Sequence, residues 1–255
     1  MSENIKNPNI EKSRNTEAQM NYYSEMEALM SESQLSYNEI IQDFPVFASR
    51  QQITYFLERY ELYKKIQNIP GSILELGVAG GFGLMALAHL CSIFEPTHYV
   101  RKLVGFDTFE GFPSVHEKDA SSGAEHMKIG GLAHNSYGYL KKAIQLYDSN
   151  RHLSHLSKIE LIKGDICETV PAFLSENPHL TISMLYLDVD LYEPTKVALE
   201  TLVERMPRGA VIVFDELNHF DYPGETIALQ EVLGIRSLAL QRVPFASMAA
   251  YAVLD

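Results

Sequence analysis

Glu75 stands inside the apolar run of residues 72–76, SILEL, two positions before Gly77. A carboxylate in an apolar strand is costly unless something pairs with it. Behind it come the loosely spaced glycines Gly77, Gly80, Gly81 and Gly83, and then a largely apolar helix, FGLMALAHLCSIF. Glycines at such a junction let the backbone turn tightly and approach a ligand, and a helix amino terminus offers free N–H groups. A dinucleotide-binding turn keeps the strand apolar and spaces its glycines G-x-G-x-x-G. Here Ala79 occupies the place of the second glycine, and an acid precedes the turn. That combination suits a cationic ligand, such as the ammonium of S-adenosylmethionine. The competing reading is a buried Glu paired with a structural Lys or Arg.

Four further apolar runs end in acid: Asp107 after KLVGF, Asp165 after KIELIKG, Asp188 after ISMLYL, and Asp215 with Glu216 after GAVIVF. Ligands of open α/β sheets bind at the carboxyl ends of the strands. There Asp107 can accept hydrogen bonds from ribose hydroxyls, and Asp165 from an adenine amino group with Ile166 against the ring. Any one of these acids can equally cap the next helix. Together they concentrate negative charge along one edge, which a cation relieves.

The elements that must position these side chains follow from periodicity. Strands are expected at residues 72–76, 102–107, 158–165, 182–188 and 209–216, with helices at 134–149, 168–176, 193–206 and 223–233. Two closing strands, 238–243 and 248–254, are joined tightly enough to pair antiparallel. The fold class is α/β: a Rossmann-like, seven-stranded, mostly parallel sheet with a C-terminal antiparallel hairpin. Ahead of it, residues 50–67 form a helix with Ile53, Phe56, Leu57, Tyr60 and Tyr63 on one face, ended by Asn68-Ile69-Pro70-Gly71. Residues 1–44 read as an extension, polar and disordered to residue 16, then an amphipathic helix over 17–31; residues 45–255 form the main domain. The bland reading of that helix is a cap on the domain, and the sharper one a lid or a homodimer contact. The long polar segment 109–135 is expected to act as a lid. Its histidines His116, His126 and His134 read as solvated, whereas His219 lies on the active edge.

Composition removes several classes. The 255 residues carry a formal charge of −12, which argues against nucleic acid or an anionic membrane surface as the main partner. The apolar run near residues 85–94 is too short to span a bilayer. The two cysteines, Cys91 and Cys167, have no metal-type spacing and read as reduced core residues. With no apolar leader in the first 40 residues, the expected setting is cytoplasmic.

The segments ILELGVAGGFG, GFDTFEGFP, LDVDLYEPT and VIVFDE, in this order, resemble the macrocin O-methyltransferase (TylF-like) family of class I methyltransferases. The resemblance covers roughly residues 45–255. It implies S-adenosylmethionine as methyl donor, a divalent cation such as Mg²⁺, and a hydroxyl of a sugar or sugar-bearing small molecule as acceptor. By motif it places Glu75, Gly77 and Gly81 at the methionine end, Asp107 and Thr108 against ribose, and Asp165 with Ile166 at adenine. It makes Asp188, Asp215 and Glu216 the metal ligands. Arg50 borders the cofactor carboxylate, and Tyr55 is core. The family commonly has two successive aspartates where this chain has Asp215 and Glu216, so Asn218 or water competes for the third ligand position. Asp190 is expected to cap the helix near Tyr192. The proton acceptor is Asp188, or His219 if no metal is used. Two other functions stay open: another nucleoside-using group transferase, and a protein that binds S-adenosylmethionine without catalysis.

Overall fold

Five short runs make the parallel part of one sheet, four of them buried along nearly their whole length and the edge strand, residues 159–163, only in part. A computed structural model describes residues 16–119, 124 and 126–255; most of the stretch expected to be disordered lies outside them. The sheet order is β3-β2-β1-β4-β5-β7-β6. Its strands are β1 (Ser72–Leu76), β2 (Leu103–Asp107), β3 (Ile159–Lys163), β4 (Ile182–Leu187), β5 (Val211–Phe214), β6 (Gln241–Arg242) and β7 (Ala250–Val253). The first five pair in parallel, while β7 runs antiparallel to β5 and β6. The fold class expected from the sequence is the one observed. The closing strands are shorter than expected, because residues 238–240 and 243–249 do not join the ladder.

The helices are α1 (Glu17–Glu32), α2 (Tyr37–Gln42), α3 (Phe44–Phe47), α4 (Arg50–Ile66), α5 (Phe82–Phe94), α6 (Tyr137–Ser149), α7 (Ile166–Glu176), α8 (Tyr192–Leu202) and α9 (Pro223–Val232). The chain divides into two compact units, Met1–Thr54 and Tyr55–Asp255. In the first, the sequence reading missed α2 and α3. A capping box starts α2, with the Ser36 N–H donating to Glu39 and Ser36 Oγ accepting from the Glu39 N–H.

In the larger unit, alternation along each strand divides the side chains between two cores. Ile73, Met184, Tyr186, Val211, Val213 and Tyr251 pack with Leu62, Tyr63 and Ile66 of α4 and with α5 and α6. Leu74, Leu76, Phe106, Leu185, Leu187, Ile212 and Phe214 pack with α7, α8 and Leu229 of α9. This parity fixes the site: Glu75, Asp188 and Asp215 continue the first set.

The expected apolar face of the helix at 50–67 is turned. α4 buries Glu58, Arg59, Leu62, Tyr63 and Ile66, whereas Phe56 and Leu57 are exposed. Two charged residues take the inner stripe because buried partners await them, as described below. The end of α4 is held from a distance by Arg101, only 1% exposed. Its guanidinium donates to the carbonyls of Ile66 (3.1 Å), Ile69 (2.9 Å) and Gly71 (3.0 Å), and its Nε lies 2.9 Å from Glu95 Oε2. It thereby satisfies carbonyls that the helix end leaves open. Arg101→Met should therefore lower unfolding stability by about 3–5 kcal/mol, since it removes the guanidinium that faces Glu95 and leaves the carbonyls without a donor. Urea denaturation tests this, and a loss below about 1 kcal/mol would contradict the assignment.

Candidate active site

The glycine turn is built where two strands nearly touch. Gly77 has φ +91°, and a Cβ there would sit 1.7 Å from the Asp188 carbonyl oxygen. Gly77 therefore lets β1 leave the sheet directly beside the end of β4. Ala79, in the position of the missing glycine, is held at φ +44°. The Asp107 carboxylate accepts from the Val78 and Ala79 N–H groups, both at 2.7 Å, while the Ser136 hydroxyl donates to the Ala79 carbonyl. Gly81, φ +88°, stands at the N-cap of α5 without a side-chain cap.

Glu75 turns under that helix start. It is 2% exposed, and a Cβ on Gly83 would meet its Oε1 at 2.0 Å. Arg59 Nη2 lies 3.9 Å from Oε1, while Oε2 is buried with no hydrogen-bond partner. Burial pushes the Glu75 carboxyl up to about 7, with Arg59 pulling the other way. The structural-cation reading is thus partly met by Arg59, and one oxygen is still left for a donor.

The other residues expected at the cofactor are less freely available. Asp107 also accepts from the Phe109 N–H at 2.6 Å, so its carboxylate shapes the loop around the site. Thr108 Oγ1 donates to the Gly111 carbonyl at 2.7 Å. Asp165 caps α7, accepting from the Cys167 N–H at 2.9 Å, and Ile166 is buried in the second core. Thr108 and Asp165 nevertheless line a cavity of about 490 Å³ with Phe112, Ile129 and Lys163. That volume falls within the range of small-molecule sites. Arg50 is the exposed first residue of α4 and belongs to the N-terminal unit. Tyr55 is a correction: it is 41% exposed, its ring edge-on to Phe82 at 6.3 Å, rather than core.

The structure brings Asp188, Asp215 and Glu216 together, with a carboxylate oxygen of each within 4.8 Å of the others. Burial, and then the neighbouring Asp215, push Asp188 and Glu216 well above the ordinary carboxylate range. Glu225 of α9, missed from the sequence, joins this group. It accepts from the Glu216 N–H at 3.1 Å, and its Oε2, like that of Glu216, is buried without a hydrogen-bond partner.

Asp190 does not cap α8. The N-cap is Leu191, and the Tyr192 N–H donates instead to Asp119 of the long loop at 2.8 Å. Asp190 takes φ +63°, and its carboxyl is pushed to about 7 by burial and then by Asp215. His219 sits beside the group through its N–H, which donates to the Glu216 carbonyl at 2.9 Å. Its ring packs on Tyr222 at 5.1 Å.

The residues that join these parts were not legible as a site. Arg59 lies 3.6 Å over the Tyr186 ring, and its Nη1 donates to the Tyr186 hydroxyl and to Glu58 Oε1 (2.5 Å). The Tyr186 hydroxyl donates to Asp215 Oδ1 at 2.5 Å and lies 2.9 Å from Glu58. The available signal was spacing: Glu58 and Arg59 stand four residues before Leu62 and Tyr63, on their stripe.

The loop after β2 is fastened rather than loose where it is described. Lys118 pairs with Glu231 at 2.7 Å over the Tyr192 ring, and His116 packs on that same ring at 4.9 Å. His126 packs on Tyr222 at 5.3 Å, so it and His116 are not the solvated residues expected; His134 is exposed.

Comparisons with known proteins give the family. The profile of the macrocin-O-methyltransferase (TylF) family matches residues 20–231. The chain belongs to that family. Calicheamicin methyltransferase CalS11 is similar at 33% identity over 94% of both chains, with a TM-score of 0.90. An apo structure of CalS11, described as a TDP-rhamnose 3'-O-methyltransferase, matches at 32% identity over 94% of this chain and 96% of that one, with a TM-score of 0.82. The O-methyltransferase NovP shares the fold at 20% identity over 80% of each chain, with a TM-score of 0.63. A curated relative from Streptomyces olivaceus is 27% identical over 151 residues, 58% of this chain and 53% of its own. It is the 8-demethyl-8-(2,3-dimethoxy-alpha-L-rhamnosyl)-tetracenomycin-C 4'-O-methyltransferase, and the match spans about half its length. The family expected from the sequence is therefore the one found, and O-methyltransferases are what these relatives are. No described helix is long and apolar enough to cross a membrane. Cys91 and Cys167 are both free.

Glu75 generates a pH prediction for the unliganded protein. A carboxyl raised from an ordinary 4.5 to about 7 holds its proton more tightly folded than unfolded. Its contribution is intact below the unfolded value and is lost as pH rises from about 4.5 to about 7, amounting to about 3 kcal/mol. The urea midpoint of the native protein should fall over that window relative to Glu75→Gln. Parallel curves for the two proteins would contradict this.

Proposed function

We propose that the chain is an S-adenosylmethionine-dependent O-methyltransferase acting on a hydroxyl of a sugar or sugar-bearing small molecule, with a divalent cation at Asp188, Asp215 and Glu216. One observation carries the reading. A buried carboxylate beside the glycine turn and a cluster of three carboxylates within 4.8 Å share the carboxyl edge of β1, β4 and β5. The donor set fits both ligands. Hard carboxylate oxygens suit Mg²⁺ or Mn²⁺, and Glu75 Oε2 and Glu216 Oε2 are buried without hydrogen-bond partners. The sugar assignment draws on the activities of the CalS11 and tetracenomycin relatives, both of which concern rhamnose units.

When bound, the sulfonium supplies an electrophilic methyl group, and the cation lowers the pKa of the acceptor hydroxyl. Glu75 holds the cofactor ammonium, and Gly77 and Gly81 give the backbone the room to close on it. Asp107 keeps the turn in place through two N–H groups. The chemistry so supplied would be in-line methyl transfer to the acceptor oxygen, the sulfonium giving up its carbon–sulfur bond to become a neutral thioether, and the part of Glu75, Gly77 and Asp188 would be to align donor and acceptor. The hydroxyl proton passes to Asp188, the carboxylate that closes β4 within this cluster. His219 is the base if no cation takes part.

S-adenosylhomocysteine formation with TDP-rhamnose tests this, with free rhamnose and a simple phenol as controls. Turnover should need the sugar, stop in EDTA and return with Mg²⁺ or Mn²⁺. Asp188→Asn should cost about a thousandfold in turnover and leave S-adenosylhomocysteine affinity within about twofold. Full activity in chelator would overturn the cation assignment, and turnover of the phenol alone would overturn the sugar assignment.

A further inference from the structure

Arg59 faces Glu75 at one end of the site and reaches the other through Tyr186, and the reaction as derived does not use it. A cation that only offsets buried charge could be a lysine. Arg59 instead spends its planar fork on separate targets at fixed angles. Nη1 donates to Glu58 and to the Tyr186 hydroxyl, the guanidinium plane lies 3.6 Å over the Tyr186 ring, and Nη2 faces Glu75 at 3.9 Å. The same Tyr186 hydroxyl donates to Asp215 at 2.5 Å. Four side chains thus run without a break from the glycine turn to the carboxylate cluster: Glu75, Arg59, Tyr186 and Asp215. Arg59 and Tyr186 are themselves buried, so neither can swing to another partner in water.

We propose that Arg59 is a positioning residue that sets Glu75 at the cofactor end and, through the Tyr186 hydroxyl, Asp215 at the acceptor end. The proposal rests on the cofactor and cation reading above. It makes the two binding sites depend on one guanidinium, so a change of its shape with the charge retained disturbs both.

Titration calorimetry with S-adenosylhomocysteine and with Mn²⁺, on the full chain, tests this without an acceptor. Arg59→Lys should weaken each ligand about tenfold, and Tyr186→Phe should weaken Mn²⁺ about tenfold while leaving S-adenosylhomocysteine within about twofold. Because Arg59 acts through Glu75, the double variant Arg59→Lys/Glu75→Gln should bind S-adenosylhomocysteine no more weakly than Glu75→Gln alone. Additive losses in that cycle, or an Arg59→Lys protein that binds both ligands normally, would overturn the positioning role. Should Arg59→Lys fail to fold, Tyr186→Phe decides: loss confined to Mn²⁺ supports the proposal, and unchanged Mn²⁺ affinity overturns it. A Glu75→Gln protein with normal S-adenosylhomocysteine affinity would overturn the cofactor reading and the coupling with it. Absence of Mn²⁺ binding by the native protein would overturn the cation reading alone, and the Glu75 cycle would then decide the role of Arg59.

Discussion

Buried negative charge held by one guanidinium is the constraint on which the site depends. Arg59 faces Glu58, Glu75 and, through Tyr186, Asp215, while Asp188, Asp190, Glu216 and Glu225 crowd the same edge. One buried positive charge cannot offset so many carboxylates. The remainder are driven toward their protonated forms, or are compensated by cations the protein does not itself supply. A cationic cofactor and a divalent ion are ligands of the required sign, which is why the electrostatics and the proposed chemistry point the same way.

The backbone creates the crowding. β1 and β4 are central neighbours, and Gly77 lets their ends approach so closely that no side chain could stand there. Strand parity then sends Glu75, Asp188 and Asp215 to the same side, facing α4. Loops complete the enclosure with few free groups: Asp107 is committed to the turn, and Asp119 reaches across to cap α8. These fixed bonds preorganise the site before any ligand enters, as effective binding sites require.

Much of this was legible in the sequence. The alternation of apolar runs and helical stripes set the sheet, and the acids at the strand ends, from Glu75 to Glu216, marked the edge where the candidate site lies. What escaped was whatever depends on contacts far apart in the chain. Glu58 and Arg59 look like ordinary helix charges until Tyr186, 127 residues from Arg59, is found beneath the guanidinium. Asp190 was expected to cap the nearest helix, but Asp119, 73 residues from Tyr192, already holds that N–H. Asp165 went the other way: the local cap, always available to a strand-end Asp, is what its side chain makes. The turned face of α4 has the same origin, since buried partners outweighed the simple count of apolar residues.

The central claim is that this carboxylate cluster is a cation site beside a cofactor pocket. The most direct measurement is anomalous diffraction at the manganese edge from crystals grown with S-adenosylhomocysteine and Mn²⁺. The account predicts a single strong peak about 2 Å from carboxylate oxygens of Asp188, Asp215 and Glu216. It also predicts the cofactor's ammonium within hydrogen-bond reach of Glu75. A crystal with S-adenosylhomocysteine in place and no manganese at those three carboxylates would contradict it.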